Sequence, residues 1–362
     1  MPPAKKKAYA PPKDLAALFA ATSKQYGTSI ERRDQVRPIR FVPTGSAALD
    51  LGLGGGWALG RCHQVVGQAG CCKSSLCITG LRNAQKAFKS KAVGYIDVER
   101  TWTWEYAEKL GLDTSNKRLM YAKPKSSEEV SDILRDWMRS ELFSLIVVDS
   151  IGGMERADAL YARQAEESDM GKNAQVISRM AKQVAVIGGD TETGVIFVNQ
   201  YRTNFNGGMD KPSGPKIMGY TTTDSVAMRR GFNALDTQSI KVAGDDIEIS
   251  HKVIAKVERS KLRTHGTVAE FWWNKDDSEA GPIGLDEVRE TVVLAQFTGV
   301  VPSTTVGGHT WLTPDGAKHN GTPKLIKYLR ENSKVLDQVR ELLLATIASE
   351  MTPEEETSFE PV

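Results

Sequence analysis

The stretch VVGQAGCCKSSL, residues 65–76, decides how this chain is read. It continues a short apolar run, CHQVV, and opens into SSLCITGLRNAQKAF, a helical pattern. The template is G-x-x-x-x-G-K-[ST], a loop whose backbone N–H groups surround phosphate oxygens at a helix N-terminus. Gly67, Lys73 and Ser74 fit it. The second glycine does not: position 72 is Cys, and Gly70 stands two places earlier. Gln68, Ala69, Gly70, Cys71, Cys72 and Ser75 are the remaining loop positions expected around the phosphates. Lys73 adds a point charge for the β- and γ-phosphates, and the Ser74 hydroxyl is a hard oxygen ligand for Mg²⁺. A Cβ at position 72 matters if that residue takes positive φ or lies against phosphate. It matters less if residue 72 is already helical. The expectation is weakened nucleotide affinity, tightened by Cys72→Gly. Taken alone, the segment also fits a Gly-rich turn with a chance Lys-Ser pair.

Two later segments argue against that alternative. SLIVVDS, 144–150, is an apolar strand pattern ending in Asp149, and a strand-end carboxylate beside a phosphate loop can hold Mg²⁺ through water. YIDVER, 95–100, is another, with Asp97 and Glu99 at its end; Glu99 is placed to orient or deprotonate a water attacking the γ-phosphate. Each carboxylate alone also fits a strand end meeting solvent. With Lys73 they point to an ATP- and Mg²⁺-dependent hydrolase.

Working outward, residues from about Phe41 to Val257 alternate strand and helix signals. CHQVVG, AVGYIDVE, SLIVVDS and GVIFVNQ are short and nearly all apolar, as in strands buried on both faces of a mostly parallel sheet. Helical stretches such as SEEVSDILRDWMRSEL lie between them, giving an α/β fold of crossover units. IEISHKVIAKVERSK and TVAEFWWN read as an antiparallel extension with a turn at Arg263 to Gly266. The expected organisation is an arm and helix over 1–40, a core over 41–280, a small α-rich domain over 281–345 and an acidic tail over 346–362. In the arm, Leu15, Leu18, Phe19 and Thr22 make a helical stripe, with Asp14 as cap and Gly27 as stop. That stripe must be buried, against either a neighbouring subunit or the chain's own core.

The 362 residues are 40% hydrophobic and 25% charged, which excludes collagenous, disulfide-scaffold and wholly disordered chains. The 47 Lys and Arg nearly balance 45 Asp and Glu, so a nucleic-acid partner is not announced by net charge. No apolar run approaches membrane-spanning length. The start, MPPAKKKAYAPPK, lacks the apolar stretch of a secretory signal, so a cytoplasmic protein is expected. Cys62, Cys71, Cys72 and Cys77 show no CxxC spacing. They read as reduced thiols, with a redox-sensitive Cys71–Cys72 pair as the alternative.

At this point the residues resemble RecA-type DNA strand-exchange proteins. TGSAALDLGLGGGWALGR, 44–61, resembles that family's stretch before its phosphate loop, and YIDVERTWTWEYAEKLGLD, 95–113, its segment bearing the catalytic glutamate and adenine contact. LIVVDSIGGM, 145–154, resembles the Mg²⁺ strand; ESDMG, 167–171, the tip of the first DNA loop; FVNQYR, 197–202, the strand ending in a signalling glutamine. KVERSKLRTHGTVAEFW, 256–272, resembles the segment that reaches the neighbouring subunit's nucleotide.

The resemblance implies a RecA-like core and these roles. Glu99 is the catalytic base, and Lys73, Ser74 and Asp149 hold phosphate and Mg²⁺. Tyr106 stacks on adenine, while Thr103 stands where the family usually has Asp. Gln200 senses the γ-phosphate; an amide that loses its bond on hydrolysis suits a switch. Arg259 and Lys261 match two lysines that act across the subunit interface on transition-state charge. DNA contact is expected from a first loop, about Arg163 to Lys172 with Met170 and Gly171 at its tip. A second runs from about Tyr201 to Tyr220. Its Gly, Pro and Lys content, with interspersed apolar side chains, suits DNA backbone contact and base wedging. Arg202, Phe205, Gly207, Gly208, Lys211, Lys216 and Ile217 are its candidate contacts. The implied activity is an ATP-dependent recombinase that forms helical filaments on single-stranded DNA and exchanges strands with homologous duplex. A hexameric motor on the same core and a DNA-coating protein with weak ATPase are the competing readings.

Overall fold

The computed structural model describes residues 14–351, apart from 28–29, 32, 159–167, 203–210, 213–216, 243–244, 264–265, 279 and 306. Contacts divide the chain into two units, Met1–Arg40 and Phe41–Val362. The first contains helix α1, Leu15–Tyr26. The Asp14 carboxylate accepts from Ala17 N at 2.7 Å, and Gly27 ends the helix at φ +61°.

The second unit opens with β1 (Phe41–Val42), α2 (Ala47–Leu53) and β2 (Trp57–Ala58), then β3 (Cys62–Gly67) and α3 (Lys73–Ala87). Crossover units follow: β4 (Ala92–Asp97), α4 (Trp104–Lys109), β5 (Leu119–Ala122), α5 (Ser127–Arg139), β6 (Phe143–Asp149), α6 (Ser168–Thr191) and β7 (Gly194–Arg202). After β7 come β8 (Lys211–Pro212), α7 (Ile217–Thr221), β9 (Asp224–Arg230), β10 (Thr237–Val242), β11 (Asp245–Ser260), β12 (Val268–Asn274) and β13 (Gly284–Leu285). The chain finishes with α8 (Glu287–Phe297), β14 (Thr310–Leu312), β15 (Lys318–Asn320), α9 (Thr322–Glu331) and α10 (Ser333–Met351).

One sheet runs β13-β12-β11-β9-β3-β7-β6-β4-β5, with β10 attached to β11 and β8 to β7. The strands from β9 to β5 are parallel, while β11, β12 and β13 extend the sheet antiparallel. The apolar runs occupy its middle: every residue of β3 and β6 is buried. Helices cover both faces. Leu76 and Leu81 of α3 pack with Leu49, Trp57, Val65 and Val147 on one face. Leu134 and Met138 of α5 and Met180 and Val184 of α6 pack with Ile146, Val148 and Phe197 on the other. Each such side chain contributes about 1.5–3 kcal/mol by leaving water. A third apolar cluster, including Val292, Val301, Leu325, Leu329 and Val339, joins α8, α9 and α10.

Two expectations about irregular segments need correction. The first expected DNA loop is shorter at its carboxyl end: Ser168 to Lys172, with Met170 and Gly171, already have helical backbone in α6. The second is not irregular throughout. Lys211 and Pro212 form a strand paired with Tyr201 and Arg202, and α7 begins at Ile217. Before α9, β14 and β15 form a hairpin whose turn contains Pro314, Asp315 and Gly316 at φ +86°. Arg163, Phe205, Gly207, Gly208 and Lys216 lie outside the described residues.

Candidate active site

Parallel strands end side by side, so the segments that follow β3, β4, β6 and β7 meet at one sheet edge. Gly67 ends β3 where only glycine fits: a Cβ there would lie 2.2 Å from Met228 O and 2.8 Å from Cys71 Sγ. Gly70 turns the loop at φ +76°. Gln68, Ala69 and Gly70 are exposed, and Cys71 is buried with its Sγ 3.0 Å from Gln68 O.

Cys72 caps α3 at φ +62°, ψ +27°, without a side-chain cap hydrogen bond. The position therefore takes the left-handed conformation, which costs a non-glycine residue about 1–2 kcal/mol. Its Sγ is 3.4 Å from His251 Nε2. Burial pushes the Cys72 thiol up to about 12, and burial also raises Cys71, so both are thiols rather than thiolates near neutrality. The uncapped first turn of α3 leaves N–H groups for an anion. Lys73 is buried and donates to Gln68 O at 2.7 Å.

Asp149, at the end of β6, accepts from Tyr95 Oη at 2.7 Å and is hydrogen-bonded by Ser74. Burial raises its pKa, and the charges of Glu99 and Asp97 raise it further. Asp97 is fully buried and accepts from Thr101 N, Trp102 N and Tyr121 Oη, which gives it a structural role in shaping the turn after β4. Glu99, two residues further, accepts from Gln200 Nε2 at 2.6 Å and from Ser150 Oγ. Tyr106 of α4 shares a 2.8 Å hydrogen bond with Ser75 Oγ. Thr103 is the exposed cap residue of α4 and makes no side-chain cap bond.

The donor set at Ser74 and Asp149 suits Mg²⁺, which prefers hard oxygens and keeps several ligand positions for water and phosphate. Among the described residues no group of three or more His, Cys, Asp or Glu is set to hold a metal by protein alone. Ser74 and Asp149 would hold such an ion beside Lys73, where Asp97, Glu99 and Asp149 concentrate negative charge.

Arg259 and Lys261 are not brought to this edge. Asp224 pairs in register with His63, near the start of β3, and also with Ser260, at the end of β11. The two cations therefore lie by the opposite end of β3, whose six residues span roughly 20 Å. Lys261 Nζ donates to Tyr220 O at 2.9 Å, and Arg259 Nη2 to the same carbonyl at 3.3 Å.

A cavity of 530 Å³ adjoins the phosphate loop. Cys72 to Ser75 and Tyr106 line one wall; Arg230, His251, Trp273 and Lys275 line the other. Sequence reasoning missed that second wall, as it missed Tyr95 and Ser150.

A family model described as the RecA N-terminal domain matches residues 13–264. This chain belongs to that family. Over 361 residues it is 27% identical to a protein named Protein RecA from Pseudarthrobacter chlorophenolicus, covering 96% of this chain and 95% of that one. Its identity to the Protein RecA of Bifidobacterium breve is 28% over 339 residues, covering 91% and 81% respectively. For that of Streptomyces ambofaciens the figures are 27% over 357 residues, 96% and 90%. The parallel sheet and phosphate loop are thus those of a RecA-like core. Among the described residues, no helix is long and apolar enough to cross a membrane.

Proposed function

We infer that the chain is an ATP-dependent DNA recombinase, acting in the cytoplasm as a helical filament on single-stranded DNA. One observation carries the mechanism: the phosphate loop, Asp149, Glu99 and Gln200 converge at one end of the sheet, while Arg259 and Lys261 stand at the other. A single chain then holds only part of its reaction centre. A head-to-tail neighbour supplies the cations, so turnover requires assembly.

Within one protomer, the N–H groups opening α3 and the Lys73 ammonium bind the phosphates. Lys73 exchanges Gln68 O for a phosphate oxygen. Ser74 and Asp149 would hold Mg²⁺, which would supply Lewis-acid stabilisation of the charge that develops on the phosphates. Glu99 orients the attacking water and takes its proton. Gln200 Nε2 donates to Glu99 at 2.6 Å. A γ-phosphate competes for that amide, and β7 leads directly into the second DNA segment, so nucleotide state reaches DNA grip through Gln200.

DNA contacts are assigned to Arg163, Met170, Gly171 and Lys172 and to Arg202, Phe205, Gly207, Gly208, Lys211, Lys216 and Ile217. Recognition through backbone and stacking makes binding salt-sensitive and nearly sequence-neutral. The separate cluster of α8 to α10 supports a small C-terminal domain after a core over 41–280, and the exposed Leu15 and Leu18 of α1 support a docking role for the 1–40 arm.

The test is ATP hydrolysis with and without single-stranded DNA, alongside strand exchange on homologous substrates and electron microscopy with an ATP analogue. DNA-stimulated turnover, exchange and open helical filaments are expected. Closed rings that unwind duplex would identify a hexameric motor instead, and DNA coating without turnover a passive binding protein.

A further inference from the structure

The wall facing the phosphate loop is a built cluster of charge. Glu248 is its hub: one oxygen meets Arg230 Nη2, and the other lies 3.0 Å from Lys275 Nζ and 3.1 Å from His251 Nδ1. The Glu248 side chain is 20% exposed and that of His251 4%, so the hub is held within the fold. Burial, followed by the positive charge of Arg230, lowers the His251 pKa and favours neutral imidazole, despite the opposing pull of Glu248. Two cations against one carboxylate leave net positive charge. They lie across the cavity from the phosphate loop, and the Cys72–His251 contact brings the two walls together.

Sheet order fixes which part of a nucleotide would meet this wall. Asp149 ends β6 and Glu99 follows β4, on one side of β3; Arg230, His251 and Lys275 belong to or follow β9, β11 and β12, on the other. A γ-phosphate aimed at Glu99 and Gln200 turns the nucleoside end away from them, toward the cationic wall. We propose that Arg230 and Lys275, positioned by Glu248, form a second anion subsite that takes the α-phosphate of the bound nucleoside triphosphate. The proposal rests on the ATP-binding reading above and adds specificity-determining residues to it. Because Glu248 already orients both cations, little side-chain freedom is lost when phosphate arrives. Charge-assisted hydrogen bonds of this kind are the stronger class.

Titration calorimetry of the full chain with Mg-ATP, and with adenosine as the phosphate-free control, tests this. Lys275→Met and Arg230→Gln should each weaken Mg-ATP binding roughly tenfold or more. Arg230→Lys should retain more affinity than Arg230→Gln. Glu248→Gln, which removes the group that positions both cations but neither cation itself, should weaken Mg-ATP binding less than either cation variant. Thermal unfolding of each variant checks the fold. Adenosine binding should be the same in all. Mg-ATP affinities equal to wild type in K275M and R230Q would overturn the proposal. A wild-type chain that binds no Mg-ATP would instead overturn the ATP-binding reading itself.

Discussion

At the carboxyl end of β3, side chains from several strands and loops point at one place. Lys73 sits on Gln68 O, Ser74 on Asp149, and Gln200 on Glu99, each bonded inside the same chain. At the amino end, Arg259 and Lys261 rest on the carbonyl of Tyr220 at the end of α7. Burial lowers the Lys261 pKa, and the like charge of Arg259 adds to it. A carbonyl satisfies a donor, but it does not neutralise a cation as an anion would. The contrast is between one end, where side chains from several segments are bonded to one another, and the other, where two cations rest on a backbone carbonyl.

The sharpest way to break this comparison is to remove the distal cations. Lys261→Ala should reduce DNA-stimulated ATP turnover by roughly 10³-fold or more, as loss of a charge supplied in trans does. Mg-ATP binding by the unassembled chain should be unchanged, since Lys261 does not reach its own nucleotide; steady-state turnover and calorimetry give the two readings. Equal loss of both would place Lys261 at the near end.

Glu99→Gln sharpens the near end. Turnover should fall about 10²–10⁴-fold, in the range of a lost general base, while Mg-ATP binding persists. Because Gln200 donates to Glu99, the variant also alters the amide's resting partner, so the nucleotide dependence of DNA affinity should change. Anisotropy of labelled single-stranded DNA with and without ATP reads this.

A smaller effect is expected at Cys72. Its side chain lines the cavity and its backbone holds a conformation that glycine reaches freely. Cys72→Gly should tighten Mg-ATP about three- to tenfold, corresponding to ~1 kcal/mol of relieved crowding. Calorimetry showing no gain would mean that the Sγ does not obstruct phosphate.

The last effect concerns pH and the stability of the fold rather than either end. Burial pushes the Asp50 and Glu290 carboxyls up to about 7, from ordinary values of 3.8 and 4.5. Glu290 accepts from Ser46 Oγ and from Ala47 N and Ala48 N at the start of α2. Between those ordinary values and about pH 7, the folded chain keeps protons that the unfolded chain has released. This contribution to stability is therefore full below the ordinary values and is lost as pH rises through 7. Urea unfolding at pH 5 and pH 8 should show it, and Glu290→Gln should flatten the difference.

The phosphate loop was legible because its chemistry is local. Gly67, Lys73 and Ser74 are close in sequence, and the runs around them have the composition of buried strands. Asp149 and Glu99 were legible as strand-end carboxylates. The conformation of Cys72 stayed open, since sequence alone does not distinguish a left-handed cap from a first helical residue. Arg230, Glu248, His251 and Lys275 escaped notice because pairing between distant strands brings them to the loop: β9 lies parallel to β3, and β11 and β12 are added antiparallel; Cys72 and His251 are 179 residues apart. The helical start at Ser168 was hidden by polar residues whose helical character depends on packing further along α6.

The central claim is that adjoining protomers share each nucleotide, and mixing variants tests it most directly. Glu99→Gln lacks the near half of the reaction centre but keeps Lys261; Lys261→Ala lacks the distal half but keeps Glu99. On single-stranded DNA each alone should be nearly inactive. An equimolar mixture should recover roughly a quarter of wild-type ATP turnover, because about that fraction of random head-to-tail contacts joins two intact halves. A mixture no more active than its separate components would contradict a site shared between neighbours.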